Sequence, residues 1–289
     1  MIETVAVEFS HNANQHMSGG LKALDGISVT VAKGEFVAVL GRNGSGKTTF
    51  ARMLNALLLP TGGSVRIDGI DTVDESRIWD IRSTVGMIFQ DPDSQIIGTT
   101  VEEDVAFGPE NLGLAPEEIL SRVQKALQSA GMLQHSRTPP HLLSGGEKQK
   151  VSLAGILAMQ PECIILDEAT ALLDPAARKE VMNLVRGLNR DKGITVLHIT
   201  HDMEEAWLAD RVILLDAGKI VQDGKPAEVF SNSVVIKEAG LELPQIAELF
   251  ELLKQDGFNL LTCTPNMDEA QAALINCMNP VRDQHVHQH

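Results

Sequence analysis

The sequence of 289 residues predicts an α/β fold built around a mostly parallel sheet, with room for a small additional domain. Two observations lead to this prediction. Short, continuous apolar runs recur along the chain, as in buried parallel strands, and segments with helical spacing of apolar residues separate them. The runs are FVAVL (36–40), VGMIF (85–89), CIILD (163–167), ITVLHIT (194–200) and RVILLD (211–216).

The composition excludes several classes of protein. Hydrophobic residues make up 43% and charged residues 22%, which excludes a disordered or collagen-like chain. Apolar stretches fall short of the roughly 18 residues of a membrane span, and the first residues lack a secretory signal pattern, so we expect a soluble protein. Three cysteines without a C-x-x-C pair are typical of a reducing compartment. The net charge of −15 opposes binding to a phosphate backbone, so we expect no nucleic-acid partner.

The first 35 residues alternate apolar and polar side chains around the interruption HNANQHMSGG. This pattern predicts short antiparallel strands joined by a loop. The apolar run at 36–40 then ends in glycines, and TTFARMLNALL follows with apolar residues at helical spacing. The predicted order here is strand, loop and helix.

Strand patterns stop over about residues 91–161, where PEEILSRVQKALQSAG predicts a helix with one apolar face. Further along, LELPQIAELFELLKQDGF and NMDEAQAALINCM predict two amphipathic helices, with LLTCT as a short strand between them. We therefore expect a main domain over 1–230 with a helical insert, an appendage over 231–280, and a tail over 281–289. The three histidines of the tail either bind metal or are solvated. The predicted apolar face consists of Ile119, Leu120, Val123, Ala126, Leu127 and Ala130.

Residues 41–48, GRNGSGKT, match the phosphate-binding pattern G-x-x-x-x-G-K-[ST] between a predicted strand and a predicted helix. The glycines allow backbone angles that bring successive N–H groups onto phosphate oxygens at the positive end of the helix. Lys47 is expected on the β- and γ-phosphates of a nucleotide, and the Thr48 hydroxyl on Mg²⁺. A glycine-rich turn without a ligand would leave Lys47 unexplained. The predicted nucleotide-binding residues of the loop are Gly41, Asn43, Gly44, Ser45, Gly46, Lys47, Thr48 and Thr49.

Asp167 and Glu168 end the run CIILDE, at the position where ligands bind in open α/β sheets. Asp167 is predicted to hold Mg²⁺. Glu168 is predicted to be catalytic, because a carboxylate there can orient or deprotonate the water that attacks the γ-phosphorus. An acidic pair that caps a helix is the alternative for this segment alone. In combination with the phosphate-binding loop, nucleotide hydrolysis is the better interpretation.

The segment LSGGEKQ at 143–149 is a second candidate for anion binding and precedes an apolar helical stretch. Its serine, Ser144, stands 23 residues before Asp167. On these motifs the sequence resembles the ATP-binding cassette (ABC) ATPases over about residues 1–230. The resemblance implies a P-loop NTPase cassette with an N-terminal antiparallel β subdomain, a mostly parallel core sheet and a helical subdomain that carries the signature. The phosphate contacts implied in the signature are Ser144, Gly145 and Gly146.

The resemblance also implies roles for single residues. Gln90, which closes VGMIFQ, matches the glutamine loop of the family, which senses the metal and the γ-phosphate. His201 matches the switch histidine that contacts the γ-phosphate. Residues 171–174, ALLD, resemble the loop that communicates between two ATP sites, although Ala171 stands where serine is common. The resemblance therefore adds Gln90 and His201 to the predicted catalytic residues, and Gln90 to the metal site.

The sequence departs from the family pattern at two places. Glu147 replaces the usual glutamine of the signature and adds a negative charge near bound phosphates. The aromatic residue that stacks on adenine is expected near FSHN, where the choice between His11 and Phe9 stays open.

Within this class, FQDPDSQIIGTTVEEDVAFGPENLGL and ILDEATALLDP resemble the ATPases of energy-coupling factor importers of vitamins and metals, in particular the first of two paralogues. The resemblance implies that two cassettes, as a homodimer or a paralogous heterodimer, sandwich ATP at the cytoplasmic face of the membrane as peripheral subunits. It also implies a transmembrane coupling subunit that docks near residues 91–98, a substrate-binding membrane subunit, and an appendage that joins the two ATPases.

Two alternatives remain from the sequence. One is the ATPase of a conventional ABC importer for another solute. The other is a non-transport ABC regulator acting on ribosomes or DNA, which is disfavoured because the chain carries one cassette and a net charge of −15.

Overall fold

The computed structural model describes residues 1–10, 22–243, 245–258 and 267–278. The β-strands are β1 (Ile2–Ser10), β2 (Lys22–Val31), β3 (Phe36–Leu40), β4 (Gly62–Ile67), β5 (Ile70–Asp71), β6 (Val85–Ile88), β7 (Cys163–Asp167), β8 (Thr195–Thr200), β9 (Arg211–Asp216) and β10 (Lys219–Gly224). The α-helices are α1 (Lys47–Leu54), α2 (Ile78–Thr84), α3 (Val101–Asn111), α4 (Pro116–Ser129), α5 (Gly145–Ala158), α6 (Pro175–Lys192), α7 (Met203–Ala206), α8 (Pro226–Phe230), α9 (Ser233–Glu238), α10 (Gln245–Gln255) and α11 (Met267–Met278).

The N-terminal strands belong to an antiparallel sheet with the order β2-β1-β4-β5. Ile2 in β1 pairs with Val31 in β2 and with Ile67 in β4. Alternation of apolar and polar residues places one face of β1 and β2 in the core, which fixes the register of the pair. The antiparallel strands predicted for the first 35 residues are confirmed. The sheet also includes β4 and β5, which the sequence patterns do not identify.

The second sheet has the order β10-β9-β3-β8-β7-β6 and is parallel except for the pairing of β10 with β9. Each of the five predicted apolar runs contributes a strand, and β3, β7 and β8 are buried along their whole length. Parallel strands end at the same edge of a sheet. The phosphate-binding loop after β3, the acidic pair after β7 and His201 after β8 therefore lie along one edge.

The two faces of the parallel sheet are covered by different elements. Phe36, Ala38 and Leu40 of β3 pack in a core shared with helices α3 to α6. Val37 and Val39 pack in a second core with α1 and the antiparallel sheet. Successive side chains of a strand point to opposite faces, so a strand buried on both faces needs a continuous apolar run. This confirms the predicted sheet covered on both faces, with the antiparallel sheet forming part of the cover on one of them.

The predicted helical insert is confirmed, because residues 91–161 contain helices α3, α4 and α5 and, in this fully described segment, no strand. Val123, Ala126 and Leu127 of α4 are buried against the neighbouring helices, as predicted. Leu120 lies on the same face as predicted, since it lines an open groove between α3 and α4 together with Ile119, Val123 and Leu127. Its side chain is 61% exposed because α4 packs mainly through its second half.

The C-terminal part of the described chain belongs to two cores. Ile236 and Leu241, after α8, are buried in the core of the parallel sheet. The two amphipathic helices predicted further on are present as α10 and α11, where Phe250 and Ala270 form a separate small core. The predicted strand LLTCT and the histidine-rich tail lie outside the described residues. Within the described ranges, none of the helices has both the length and the hydrophobicity of a membrane span.

Candidate nucleotide-hydrolysis site

The loop after β3 wraps around the ammonium group of Lys47. Gly46, which precedes α1, lies in the left-handed region with a φ of 106°. A Cβ atom at Gly46 would lie 2.5 Å from the carbonyl oxygen of Ala23, so the position requires glycine. Lys47 Nζ donates to the carbonyl oxygens of Gly41 at 2.8 Å and Arg42 at 3.1 Å. The loop thus holds a buried positive charge close to its own N–H groups, as phosphate binding requires.

Thr48 and Asp167 meet at the carboxyl edge of the sheet. Thr48 Oγ1 donates to Asp167 Oδ1 at 2.9 Å. Burial raises the pKa of Asp167, and the hydrogen bond from Thr48 opposes that shift. A buried carboxylate beside a hydroxyl is a pair of hard oxygen ligands of the kind that Mg²⁺ binds, and a cation here would offset the cost of burying the charge. The residues present therefore fit a Mg²⁺ ion.

Glu168 follows directly and faces a different set of partners. Its φ of 52° is unusual for a residue other than glycine, and its N–H donates to the carbonyl oxygen of Ile199 at 3.0 Å. The turn leaves Glu168 Oε1 3.4 Å from Lys47 Nζ and 3.9 Å from His201 Nδ1. Two adjacent carboxylates thus face different partners, Asp167 the Thr48 hydroxyl and Glu168 the side chains of Lys47 and His201.

A cleft of about 830 Å³ opens over Lys47, Thr48 and Glu168. Ser45 and Gly41 lie beneath its surface, where Ser45 is 1% exposed and its carbonyl oxygen accepts from the Gly218 N–H. Of the candidates for adenine stacking, Phe9 is 9% exposed and belongs to the second core, and His11 lies outside the described residues. The predicted residues on the cleft wall are Asn43, Gly44, Gly46, Lys47, Thr48, Thr49, Gln90 and Glu168.

Further residues of the cleft wall escape sequence reasoning. Lys22 lines it and pairs with Asp25 at 2.8 Å and Glu8 at 3.1 Å. Ala217 and Gly218 form the turn between β9 and β10, with φ values of 44° and 77°. The dipeptide Ala-Gly between two apolar runs signals a turn, but only the fold shows that this turn reaches the phosphate-binding loop.

The signature lies at the start of α5. Ser144 is its N-cap, and Glu147 completes a reciprocal capping box. Glu147 Oε2 accepts from the Ser144 N–H at 2.8 Å and from Ser144 Oγ at 2.7 Å, and these hydrogen bonds lower the pKa of Glu147. Ser144, Gly145 and Gly146 are not among the residues that line the cleft. Within one chain, the two helix starts that the sequence predicts to bind anions therefore do not line a common cleft.

Comparison with known proteins decides the family. The sequence profile described as "ABC transporter" matches residues 24–171. The chain is 55% identical over 249 residues to the energy-coupling factor transporter ATP-binding protein EcfA1 of Clostridioides difficile (strain 630), covering 86% of this chain and 90% of that protein. The chain belongs to the ABC transporter ATPases. This ABC ATPase is also 45% identical over 262 residues, 91% of each chain, to the cobalt import ATP-binding protein CbiO of Syntrophus aciditrophicus (strain SB).

Solved structures confirm the cassette fold of this ABC ATPase. CbiO1 of Clostridium perfringens, described as part of the ABC transporter complex CbiONQ, matches with a TM-score of 0.74 and 36% identity over 86% of this chain and 98% of that one. A dimeric post-hydrolysis state of the ATP-binding cassette MJ0796, bound to ADP and Pi, gives a TM-score of 0.69 at 31% identity over 78% and 99%. The protein is thus an ATP-binding and ATP-hydrolysing cassette.

Proposed function

We propose that this ABC ATPase powers the uptake of a vitamin or a transition-metal ion through an energy-coupling factor transporter. The names of the relatives support the transporter class, since they include energy-coupling factor and cobalt import ATP-binding proteins. The structural observation that carries the ATPase assignment is the meeting of Lys47, Thr48 and Glu168 in one cleft, with Asp167 hydrogen-bonded to Thr48.

The chemistry of the cleft follows from its charges. The N–H groups at the start of α1 and the Lys47 ammonium would bind the phosphates of ATP. Thr48, Asp167 and Gln90 would hold Mg²⁺, which when bound neutralises charge that develops on the phosphate oxygens. Glu168 would orient the attacking water or accept its proton, and His201, 3.9 Å from Glu168, would contact the γ-phosphate. The cleft of one chain thus offers donors on one side of the triphosphate.

A second cassette would supply the other side. Ser144 and the glycines at the start of α5 form an anion-binding helix start that lies apart from the chain's own cleft. We propose that they close the site of a partner ATPase, in a homodimer or a paralogous heterodimer. Loss of the γ-phosphate then removes contacts that bridge the two subunits, and the dimer opens.

The membrane partners would bind away from the cleft. A transmembrane coupling subunit is proposed to dock near residues 91–98, where Ile97 is 61% exposed. The appendage of α10 and α11 is proposed to join the two ATPases. A substrate-binding membrane subunit completes the assembly, and the ATPase acts as a peripheral subunit at the cytoplasmic face of the membrane.

Glu168→Gln tests the catalytic assignment. The amide keeps the size of the side chain but accepts a proton poorly, so we expect ATPase turnover to fall by about 100-fold or more while ATP binding persists. The dimer should then accumulate in the presence of ATP, and light scattering would detect it. Glu162→Gln is the matched control, because Glu162 precedes β7 whereas Glu168 follows it, so the two residues lie at opposite ends of the same strand. Unchanged turnover in Glu168→Gln would contradict the assignment.

Purification of the intact membrane assembly tests the transporter class. We expect a small substrate-binding membrane protein and a coupling subunit to accompany the ATPase. Recovery with permease subunits that rely on a soluble binding protein would instead indicate a conventional ABC importer.

A further inference from the structure

A buried carboxylate that the proposed reaction does not use lies behind the switch histidine. Glu205 is on the short helix α7 and is only 5% exposed. Its Oε2 lies 2.8 Å from His198 Nε2 and accepts from Thr200 Oγ1 at 2.9 Å. Its Oε1 lies 3.7 Å from Arg178 Nε on α6. One carboxylate thus connects strand β8, helix α6 and helix α7.

The same cluster fixes both neighbours of His201. Asp202 donates its N–H to Thr200 Oγ1 at 2.9 Å and accepts from Arg178 Nη1 at 2.7 Å. The other carboxylate oxygen of Asp202 caps α7, where it accepts from the Glu204 and Glu205 N–H groups. Thr200 and Asp202 are therefore held on either side of His201, whose own side chain is half exposed.

A charged group in this position needs a reason beyond packing. Burying a carboxylate is costly unless hydrogen bonds and a counter-charge compensate, and an apolar residue would fill the space at a lower cost. Burial opposes the charge on Glu205, but hydrogen bonding and charge from His198, with hydrogen bonds from Thr170 and Thr200, hold its pKa well below the ordinary range. The carboxylate is thus kept ionised and keeps its partners in place.

The cluster borders the reacting groups directly. A small cavity of about 20 Å³ has Glu168, Ala171 and His201 on its wall together with Arg178 and Glu205. Arg178 lies in the first turns of α6, which begins immediately after the loop 171–174. Movement of either segment would therefore disturb the contacts of Glu205.

We propose that Glu205 is a positioning residue for ATP hydrolysis: it locks the segment 200–202 so that His201 faces Glu168, and it ties this segment to the start of α6. The inference rests on the proposed ATPase site. Glu205 acts through His201 and touches neither nucleotide nor metal. Its loss should therefore slow the chemical step and leave the phosphate-binding loop intact.

Kinetics of Glu205→Gln test the proposal. We expect kcat to fall by roughly tenfold to a hundredfold, because small misplacements of catalytic groups have effects of this size, with KM for ATP within about twofold of wild type. A double-mutant cycle distinguishes action through His201 from a merely structural role. If Glu205 acts through His201, adding Glu205→Gln to His201→Ala should cause little further loss of kcat. Losses that multiply in the double variant, or an unchanged kcat in Glu205→Gln, would overturn the proposal.

Controls separate this outcome from unfolding and from failure of the proposed function. Asp223 lies on the edge strand β10, where its carboxylate oxygens accept from the Arg211 guanidinium at 2.6 Å. Asp223→Asn weakens this ion pair and should leave kcat unchanged. Thr200→Val removes one hydrogen-bond partner of Glu205 with little change in shape, and it replaces Glu205→Gln if that variant does not fold. It should lower kcat in the same way. An unchanged kcat would count against the proposal. Wild type without ATPase turnover would refute the proposed function, whereas an active wild type with an equally active Glu205→Gln refutes only this inference.

Discussion

At the start of α5, the Ser144 hydroxyl donates to Glu147 Oε2 at 2.7 Å. In a composite site this hydroxyl would have to turn towards the partner's nucleotide, away from a charged acceptor. The carboxylate also repels phosphate oxygens at short range. We expect Glu147→Gln to lower the ATP concentration that drives dimer formation by several-fold, measured by light scattering during an ATP titration in the Glu168→Gln background.

A matched control exists elsewhere in the chain. Thr100 and Glu103 form the same reciprocal capping box at the start of α3, and neither residue lines the nucleotide cleft. Glu103→Gln changes the charge and the cap in the same way and should leave the ATP titration unchanged. Equal shifts in both variants would show that net charge, and not the position beside Ser144, determines dimer formation.

At the residue level, the sequence predicts contacts that a short motif contains and misses those that the fold creates. Lys47 and Thr48 are identifiable because a G-x-x-x-x-G-K-[ST] loop between a strand and a helix is a specific pattern, and Glu168 is identifiable only in combination with that loop. Lys22 and Gly218 reach the same cleft from distant segments, and the sequence around them signals only a strand and a turn. Leu120 belongs to the predicted apolar face of α4 but is exposed, because helical periodicity identifies an apolar face and not how far a neighbouring helix covers it.

The contact between α5 and α6 depends on a missing side chain. A Cβ atom at Gly146 would lie 2.7 Å from the Cβ of Ala177 on α6, whereas one at Gly145 would meet only Leu173 at 3.7 Å. Gly146→Ala should therefore push the helices apart and lower the free energy of unfolding by about 1–3 kcal/mol. Gly145→Ala, one position earlier in the same turn, should be neutral or slightly stabilising, because alanine favours the helix.

Chemical denaturation of the two variants measures the difference. A Gly146→Ala variant as stable as Gly145→Ala would show that the neighbouring helix moves away at little cost and would contradict the prediction. The comparison is clean because both changes add the same methyl group to the same helix.

At the level of elements, continuous apolar runs predict the parallel strands well because those strands are buried on both faces. The same reasoning fails for β4 and β5, which are short and half exposed and join the N-terminal sheet only after α1 has intervened. The pairing of β4 with β1 is a long-range contact that no local pattern encodes, and β5 joins the sheet through β4. The order of strands within the parallel sheet is likewise a property of the fold and not of any one run.

At the level of the whole molecule, the proposed composite site uses two surfaces of the chain that lie apart. The cleft is lined by Lys47, Thr48, Gln90 and Glu168, among others, while Ser144 at the start of α5 is not among its lining residues. A triphosphate carries charge on every side and needs donors on every side. Two chains arranged head to tail would satisfy this requirement twice.

Complementation between inactive chains tests this arrangement. Lys47→Ala removes the phosphate-binding charge, and Ser144→Arg blocks the signature, so each variant alone should hydrolyse ATP at a small fraction of the wild-type rate. A mixed dimer joins the intact cleft of one chain to the intact signature of the other. With random pairing, half of the dimers are mixed and each has one of two sites intact, so an equimolar mixture should recover about a quarter of wild-type turnover. The contrary result has two parts: the mixture shows only the average turnover of the separate variants, and the specific rate of wild type does not depend on its concentration. Together these observations would show that each chain completes its own site.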